Sequence, residues 1–129
     1  MSESINAVAA LVGRLMMSAI FLMSGYGKVV AYATTAAYME KNGLPGQLLP
    51  ITILVELGGG ILLAIGYQTR LVAIILAGFT LVAASIFHSN FGDRNQLIHF
   101  MKNVAIAGGF LLVFANGGGA WSVDGRSRS

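Results

Sequence analysis

Residues 71–87 read LVAIILAGFTLVAASIF, an apolar run without a charged side chain. A helix that crosses the hydrocarbon core of a bilayer needs roughly 17–25 such residues, so this run predicts a membrane-spanning helix. The rest of the 129-residue chain has the same character, with 56% hydrophobic residues, 10% charged residues and a mean hydropathy of +0.76. Soluble domains are about one quarter charged. The composition therefore excludes a soluble domain and predicts an integral membrane protein.

Three further apolar runs are long enough to span a membrane, and each is interrupted by one charged residue. They cover residues 5–27 with Arg14, residues 48–67 with Glu56, and residues 97–115 with Lys102. No alternation of apolar and polar residues, which is typical of strands, competes with these runs. We therefore predict an all-α, integral membrane four-helix bundle that forms a single domain.

The connections and the end of the sequence carry further expectations. Residues 29–47 are expected to hold a short amphipathic helix at the membrane interface. Residues 120–129, rich in serine and arginine, are predicted to form a disordered tail. Lysine and arginine are divided equally between the two sides of the bundle, so the positive-inside rule does not fix the orientation. The exposed Arg126 and Arg128 favour cytoplasmic termini.

Residue counts exclude several kinds of chemistry. The chain has no cysteine, so it carries no disulfide, thiolate metal site or thiol relay. Two histidines, His88 and His99, are too few for a bis-histidine haem bundle and argue against an all-protein zinc site. The eight lysines and arginines are scattered singly, which is not the footprint of a nucleic-acid-binding protein. No Gly-x-Gly-x-x-Gly motif follows a strand, so NAD or FAD binding by that route is not expected.

The charged residues inside the spans are the main candidates for a site. Each costs at least about 2.5–3.5 kcal/mol at the centre of a membrane helix. Helical spacing places them on inward-facing stripes, on which Arg14, Ser18 and Lys28 share one face of the first span. We expect Glu56 to be the centre of the buried charges, with Lys102 as its first ion-pair partner and Arg14 as its second.

One end of the bundle is predicted to form a polar cup from the residues Lys28, Glu56, His88, His99, Lys102 and Asn103. Structural explanations stand beside this functional one. The pair of Glu56 and Lys102 could serve only to fix the helix register. Arg14 could fix register or extend to its own interface, and Lys28 could simply anchor the end of its helix. The two histidines could be interfacial side chains.

These residues lie in a pattern that resembles the DoxX family of small bacterial membrane proteins. The resemblance covers residues 8–124 and rests on the order and spacing of short blocks. The blocks are GRL at 13–15, FLMSGYGK at 21–28, ELGGG at 56–60, GYQTR at 66–70, QLIHFMKN at 96–103, GG at 108–109 and WSVD at 121–124. The positions that match the family's polar pattern are Arg14, Lys28, Glu56, Arg70, Lys102 and Asn103.

The resemblance implies a four-helix protein of the bacterial inner membrane that acts as a subunit of a quinone-linked oxidoreductase, beside a soluble redox partner. In this interpretation the cup binds a quinone, Lys102 or His99 donates a hydrogen bond to a quinone oxygen, and Glu56 relays a proton. Lys28, Asn103 and Arg14 complete the predicted ligand-binding set. The chain has no redox cofactor motif of its own.

Two other functions stay open. The chain could be a non-catalytic anchor that holds a soluble enzyme at the membrane through its polar connections, with Asp93 and Arg94 at the docking surface. It could also be a small transporter subunit. In each case a homo-oligomer could form through the small-residue face of the third helix, which carries Ala73, Ala77, Gly78 and Ala84.

Overall fold

The computed structural model describes residues 3–87 and 92–127, and within these ranges it is helical and contains no strand. The helices are α1 (Glu3–Val30), α2 (Tyr32–Lys41), α3 (Leu49–Ile53), α4 (Gly59–Ile65), α5 (Thr69–Phe87), α6 (Arg94–Asn116) and α7 (Val123–Ser127). A 3-10 turn, Gly46–Leu48, leads into α3. A π-helical turn, Leu54–Gly58, joins α3 to α4.

Within the described residues, four helical segments are long and apolar enough to cross a membrane, which confirms the predicted all-α membrane fold. They are Ser4–Val30, Gly46–Ile65, Thr69–Phe87 and Arg94–Asn116. The first extends beyond residue 27, so Lys28 lies inside α1. The fourth begins at Arg94 because the Asp93 side chain caps it, accepting a hydrogen bond from the Asn95 N–H at 2.9 Å. The anchor hypothesis places Asp93 at a docking surface. In the structure its side chain has a structural role, since it caps the start of α6.

Where the sequence predicts one domain, the chain divides into two compact units. The first unit comprises Met1–Thr69 and Gly118–Ser129, and the second comprises Arg70–Gly117. The chain thus leaves the first unit at the start of α5 and returns to it after α6. The candidate site described below lies within the first unit.

In the first unit, α1 packs closely along the π-helical turn and α4. A methyl group added to Gly60 would lie 2.9 Å from Leu22 Cδ2, and one added to Gly25 would lie 2.7 Å from Leu57 Cγ. Glycine at these two positions lets the helix backbones approach, as small residues do in membrane proteins. Leu63 and Ser18 are fully buried in this packing.

In the second unit, α5 carries its small residues on a buried face. Ala73, Ala77 and Ala84 are buried within the chain, whereas Gly78 is exposed. The three alanines are therefore not available to a second copy of the chain, and the surface predicted for a dimer is wrong in this respect. Homo-oligomerisation itself stays a prediction.

The structure contains the helix expected between the first two spans, and it also contains a helix in the segment predicted to be a disordered tail. The connection between the first two spans does contain a short helix, α2, although its place at the membrane interface stays a prediction. The prediction of a disordered tail is wrong for residues 120–127, because Ser122 is buried and α7 follows it. The contacts that order this segment are described with Arg14 below.

Candidate functional site

A buried carboxylate and a partly exposed ammonium group meet in the first unit. The Glu56 residue is 3% exposed, and its Oε1 atom lies 2.7 Å from the Nζ atom of Lys28. The Lys28 side chain is 26% exposed and donates a hydrogen bond to Ser24 Oγ, also at 2.7 Å. Ser24 and Lys28 are four residues apart and therefore lie one above the other on α1. We call Ser24, Lys28 and Glu56 the ammonium site.

The π-helical turn and the close approach of α1 together position Glu56. A π-helical turn is wider than an α-helical one, and such turns are frequent at functional sites. Glu56 lies in the middle of the turn Leu54–Gly58. A methyl group added to Gly25 would lie 3.3 Å from Glu56 Cβ, so glycine at this position lets the carboxylate-bearing turn pack directly on α1. Lys28 follows Gly25 by about one helical turn and extends toward the carboxylate.

The ammonium site is open at its lysine end and closed at its carboxylate end. Glu56 Oε1 contacts the Lys28 ammonium at 2.7 Å, and this buried oxygen accepts no hydrogen bond from any other described residue. A lysine ammonium has three N–H donors. Ser24 takes one and Glu56 faces another, which leaves one donor for a ligand. The arrangement can therefore donate a hydrogen bond outward while it holds a negative charge behind the donor.

The structure gives Lys28 the contact with Glu56 that the sequence analysis assigned first to Lys102 and second to Arg14. The reason is that α1 runs to Val30, which places Lys28 within the helix and beside the π-helical turn. Lys102 belongs to α6 in the second unit, where its side chain is exposed. Its predicted approach to Glu56 stays a prediction.

Two of the other predicted cup residues belong to the second unit. His99 is exposed and Asn103 is half-buried, both on α6, and their ligand-binding roles stay predictions. His88 lies outside the described residues. Ser24 is the site residue that was not selected from the sequence. Its position four residues before Lys28 is the signal that could have identified it.

Arg14 lies among backbone carbonyl groups instead of beside Glu56. It is 2% exposed, and its guanidinium donates four hydrogen bonds. The acceptors are Gly118 O at 2.9 Å from Nε, Leu63 O at 3.0 Å and Ala64 O at 2.8 Å from Nη1, and Trp121 O at 2.5 Å from Nη2. The prediction that Arg14 pairs with Glu56 is wrong. The alternative, in which the Arg14 side chain extends to the membrane interface, is also wrong.

The geometry of Arg14 explains why it tolerates burial. Leu63 and Ala64 are near the end of α4, where the carbonyl groups carry the negative end of the helix dipole. Leu63 O also accepts from the Gly66 N–H at 3.2 Å, and the last carbonyl groups of a helix have no partner within a further helical turn. The guanidinium of α1 therefore caps a neighbouring helix. This geometry fits the structural alternative, in which Arg14 fixes the register between α1 and α4, and the predicted ligand-binding role of Arg14 stays a prediction.

Asp124 caps the next helix from the same segment that supplies Gly118 and Trp121. Its carboxylate accepts hydrogen bonds from the backbone N–H groups of Gln68, at 2.9 Å, and Thr69, at 2.7 Å, where α5 begins. Its own backbone N–H donates to Gly66 O at 2.9 Å. The sequence analysis noted Asp124 only within the WSVD block and missed this role.

Gly66 offers a first test of this packing. It ends α4 in the left-handed conformation, with φ +76°, and an added methyl group would lie 2.8 Å from Arg14 Nη1 and 3.1 Å from Ser122 Cα. We expect Gly66→Ala to lower the free energy of unfolding by at least about 2 kcal/mol, from backbone strain and from displacement of Arg14. The measurement is reversible unfolding by sodium dodecyl sulfate in mixed micelles.

The control for this test is Gly78→Ala. Gly78 lies within α5, and no atom would lie within 4 Å of its added methyl group. Alanine stabilises helix interiors, so this variant is expected to be neutral or up to about 1 kcal/mol more stable. Equal stabilities for the two variants would contradict the described environment of Gly66.

Among residues 3–87 and 92–127, no three His, Cys, Asp or Glu side chains lie close enough together to hold a metal ion. The ammonium site is instead suited to a ligand with a hydrogen-bond acceptor.

Comparison with known proteins places the chain in a family. The sequence profile of the DoxX family matches residues 9–89, a range that includes Arg14, Lys28 and Glu56. Inner membrane protein YqjF of Escherichia coli K12 is 46% identical over 122 residues, which cover 95% of this chain and 94% of the relative. Inner membrane protein YphA of the same organism is 36% identical over 126 residues, covering 92% and 90%. No solved structure matches significantly. The chain belongs to the DoxX family and is an integral protein of the bacterial inner membrane.

Proposed function

We propose that this chain is the membrane subunit of a quinone-linked oxidoreductase and that it binds the quinone head group at the ammonium site. The observation that carries the proposal is the buried Glu56 carboxylate behind the partly exposed Lys28 ammonium. Sites for lipid-soluble molecules combine apolar walls with a few polar groups that fix the orientation of the ligand. The ammonium site supplies such groups within an otherwise apolar helix pair.

Lys28 and Glu56 have different roles in this proposal. The remaining N–H donor of Lys28 binds a carbonyl oxygen of the quinone and stabilises the negative charge that develops there on reduction. Reduction to the quinol consumes two electrons and two protons. Both electrons come from a separate soluble redox protein. Lys28 donates a proton from its ammonium group to the reduced quinone oxygen and regains one from water at its partly exposed end. Glu56 supplies the negative charge that stabilises the protonated ammonium between the two transfers.

Binding of a short-chain quinone tests the proposal. We expect purified protein in nanodiscs to show a saturable increase in thermal stability with a soluble ubiquinone analogue, amounting to about 2.7 kcal/mol at a hundredfold excess over Kd. Lys28→Met removes the donor and Glu56→Gln removes the charge that holds it, so both variants are expected to lose the saturable increase. Lys41→Met, in which an exposed lysine of α2 is replaced, is the matched control and keeps it.

The same titration distinguishes binding at Lys28 from binding at Lys102, the cup residue on α6 that was predicted to pair with Glu56. If Lys102→Met loses quinone binding while Lys28→Met keeps it, the ligand binds at α6 and the proposal is wrong. Normal quinone binding in both Lys28→Met and Glu56→Gln would also contradict it. If the wild-type protein binds no quinone and the variants change only stability, the pair is structural, as in the anchor hypothesis.

A further inference from the structure

Residues 118–127 follow the fourth span in sequence but belong to the first unit. We propose that this segment, which we call the strap, closes the first unit after the fourth span has been made, and that Arg14 makes the closure necessary. The strap contributes backbone acceptors to Arg14 and an acidic cap to α5. It thereby links three parts of the first unit that are distant in sequence.

The acceptors of Arg14 are divided equally between α4 and the strap. Two of its four hydrogen bonds go to α4, at Leu63 O and Ala64 O, and the other two go to the strap, at Gly118 O and Trp121 O. A buried charged donor without an acceptor is costly, and more so where water is absent. Without the strap, half of the hydrogen bonds of this guanidinium are missing.

The strap forms a turn of its own and packs against the rest of the first unit. Ser122 Oγ donates to Gly119 O at 2.7 Å and accepts from the Gly125 N–H at 3.0 Å, which folds the strap on itself. Gly118 lies so close to Thr69, a residue of the first unit, that an added methyl group would be 2.7 Å from Thr69 Oγ1. Asp124 then fixes the far end of the strap at the start of α5.

The two α4 acceptors of Arg14 are synthesised well before its two strap acceptors. Arg14 and its strap acceptors are 104 and 107 positions apart in the sequence, whereas its α4 acceptors are 49 and 50 positions away. An N-terminal intermediate that contains α1 to α4 can therefore form only half of these bonds. The first unit reaches its final packing when α5 and α6 have been made and the strap docks.

A labelling experiment tests this inference. The chain has no cysteine, so Ser18→Cys introduces a single thiol at a fully buried position of α1. The rate of thiol labelling then reports how often the first unit opens. We expect deletion of residues 118–129 to accelerate labelling on the order of a hundredfold, because two charge-assisted hydrogen bonds are lost. In an Arg14→Met background the same deletion is expected to accelerate labelling far less.

The control background is Arg94→Met, which removes an exposed arginine and is expected to leave the effect of the deletion unchanged. Unchanged labelling after the deletion, or equal acceleration with and without Arg14, would overturn the inference. If the deleted chain does not accumulate in cells, pulse-chase half-lives replace labelling. Rescue of the half-life by Arg14→Met supports the inference, and equally short half-lives contradict it.

Discussion

Replacing Lys28 with methionine is expected to lower the free energy of unfolding by about 3–5 kcal/mol, the cost of leaving a buried charge without its partner. Glu56 is 3% exposed, and its Oε1 atom, which contacts Lys28, accepts no hydrogen bond from another described residue. The carboxylate must then remain unpaired or take up a proton, and both cost free energy. The measurement is unfolding in mixed micelles.

Replacing Glu56, the other member of the pair, is expected to cost less stability. Glu56→Gln leaves a lysine whose side chain is 26% exposed and still bonded to Ser24, and a long lysine side chain can extend toward water. We expect a loss of about 1–2 kcal/mol, comparable with one hydrogen bond to a charged group. The double variant Lys28→Met with Glu56→Gln is expected to be more stable than Lys28→Met alone, since no buried charge then remains.

Lys102→Met is the control for this series because it removes an exposed lysine of α6, with an expected effect within about 0.5 kcal/mol. Strictly additive losses in the double variant would show that Lys28 and Glu56 do not interact. A large loss in Lys102→Met, together with a small loss in Lys28→Met, would favour the pairing predicted from the sequence.

Arg14→Met is expected to cost a similar amount, about 3–5 kcal/mol, for a different reason. The guanidinium donates to four backbone carbonyl groups, and each acceptor left unpaired in a dry environment costs about 1–3 kcal/mol, offset in part because a buried charge is removed. Arg14→Lys keeps the charge but lacks the planar fork, so it is expected to recover only part of the loss.

Fluorescence of Trp121 gives an independent measurement of the same variants. It is the single tryptophan of the chain, it lies on the strap, and its carbonyl accepts from Arg14. Arg14→Met is expected to shift its emission as the strap loosens, and Arg94→Met is not. Wild-type stability and emission in Arg14→Met would show that the four hydrogen bonds carry no net stability.

The architecture was predictable because each span is an apolar run whose length matches the bilayer. The partner of Glu56 was not predictable in the same way. Helical spacing places Arg14, Ser18 and Lys28 on one face of α1, but it does not say which of them lies at the level of Glu56. Fourteen residues separate Arg14 from Lys28, about 21 Å along the helix, so only one of the two can reach the carboxylate.

The role of the strap was hidden for another reason. Arg14 binds backbone carbonyl groups, which every residue has, so the sequence around Gly118 and Trp121 contains no side-chain pattern that marks an acceptor. Serine, glycine and arginine in this segment favour disorder by composition. A buried guanidinium more than a hundred positions away orders it instead.

A dipolar coupling between the ammonium nitrogen of Lys28 and the side-chain carboxyl carbon of Glu56, measured by solid-state NMR in bilayers, tests the ammonium site most directly. The structure predicts a strong coupling, in keeping with the 2.7 Å separation of Nζ and Oε1, and predicts its disappearance in Lys28→Met. A carboxyl carbon of Glu56 that couples to Lys102, or to no lysine at all, would contradict the site.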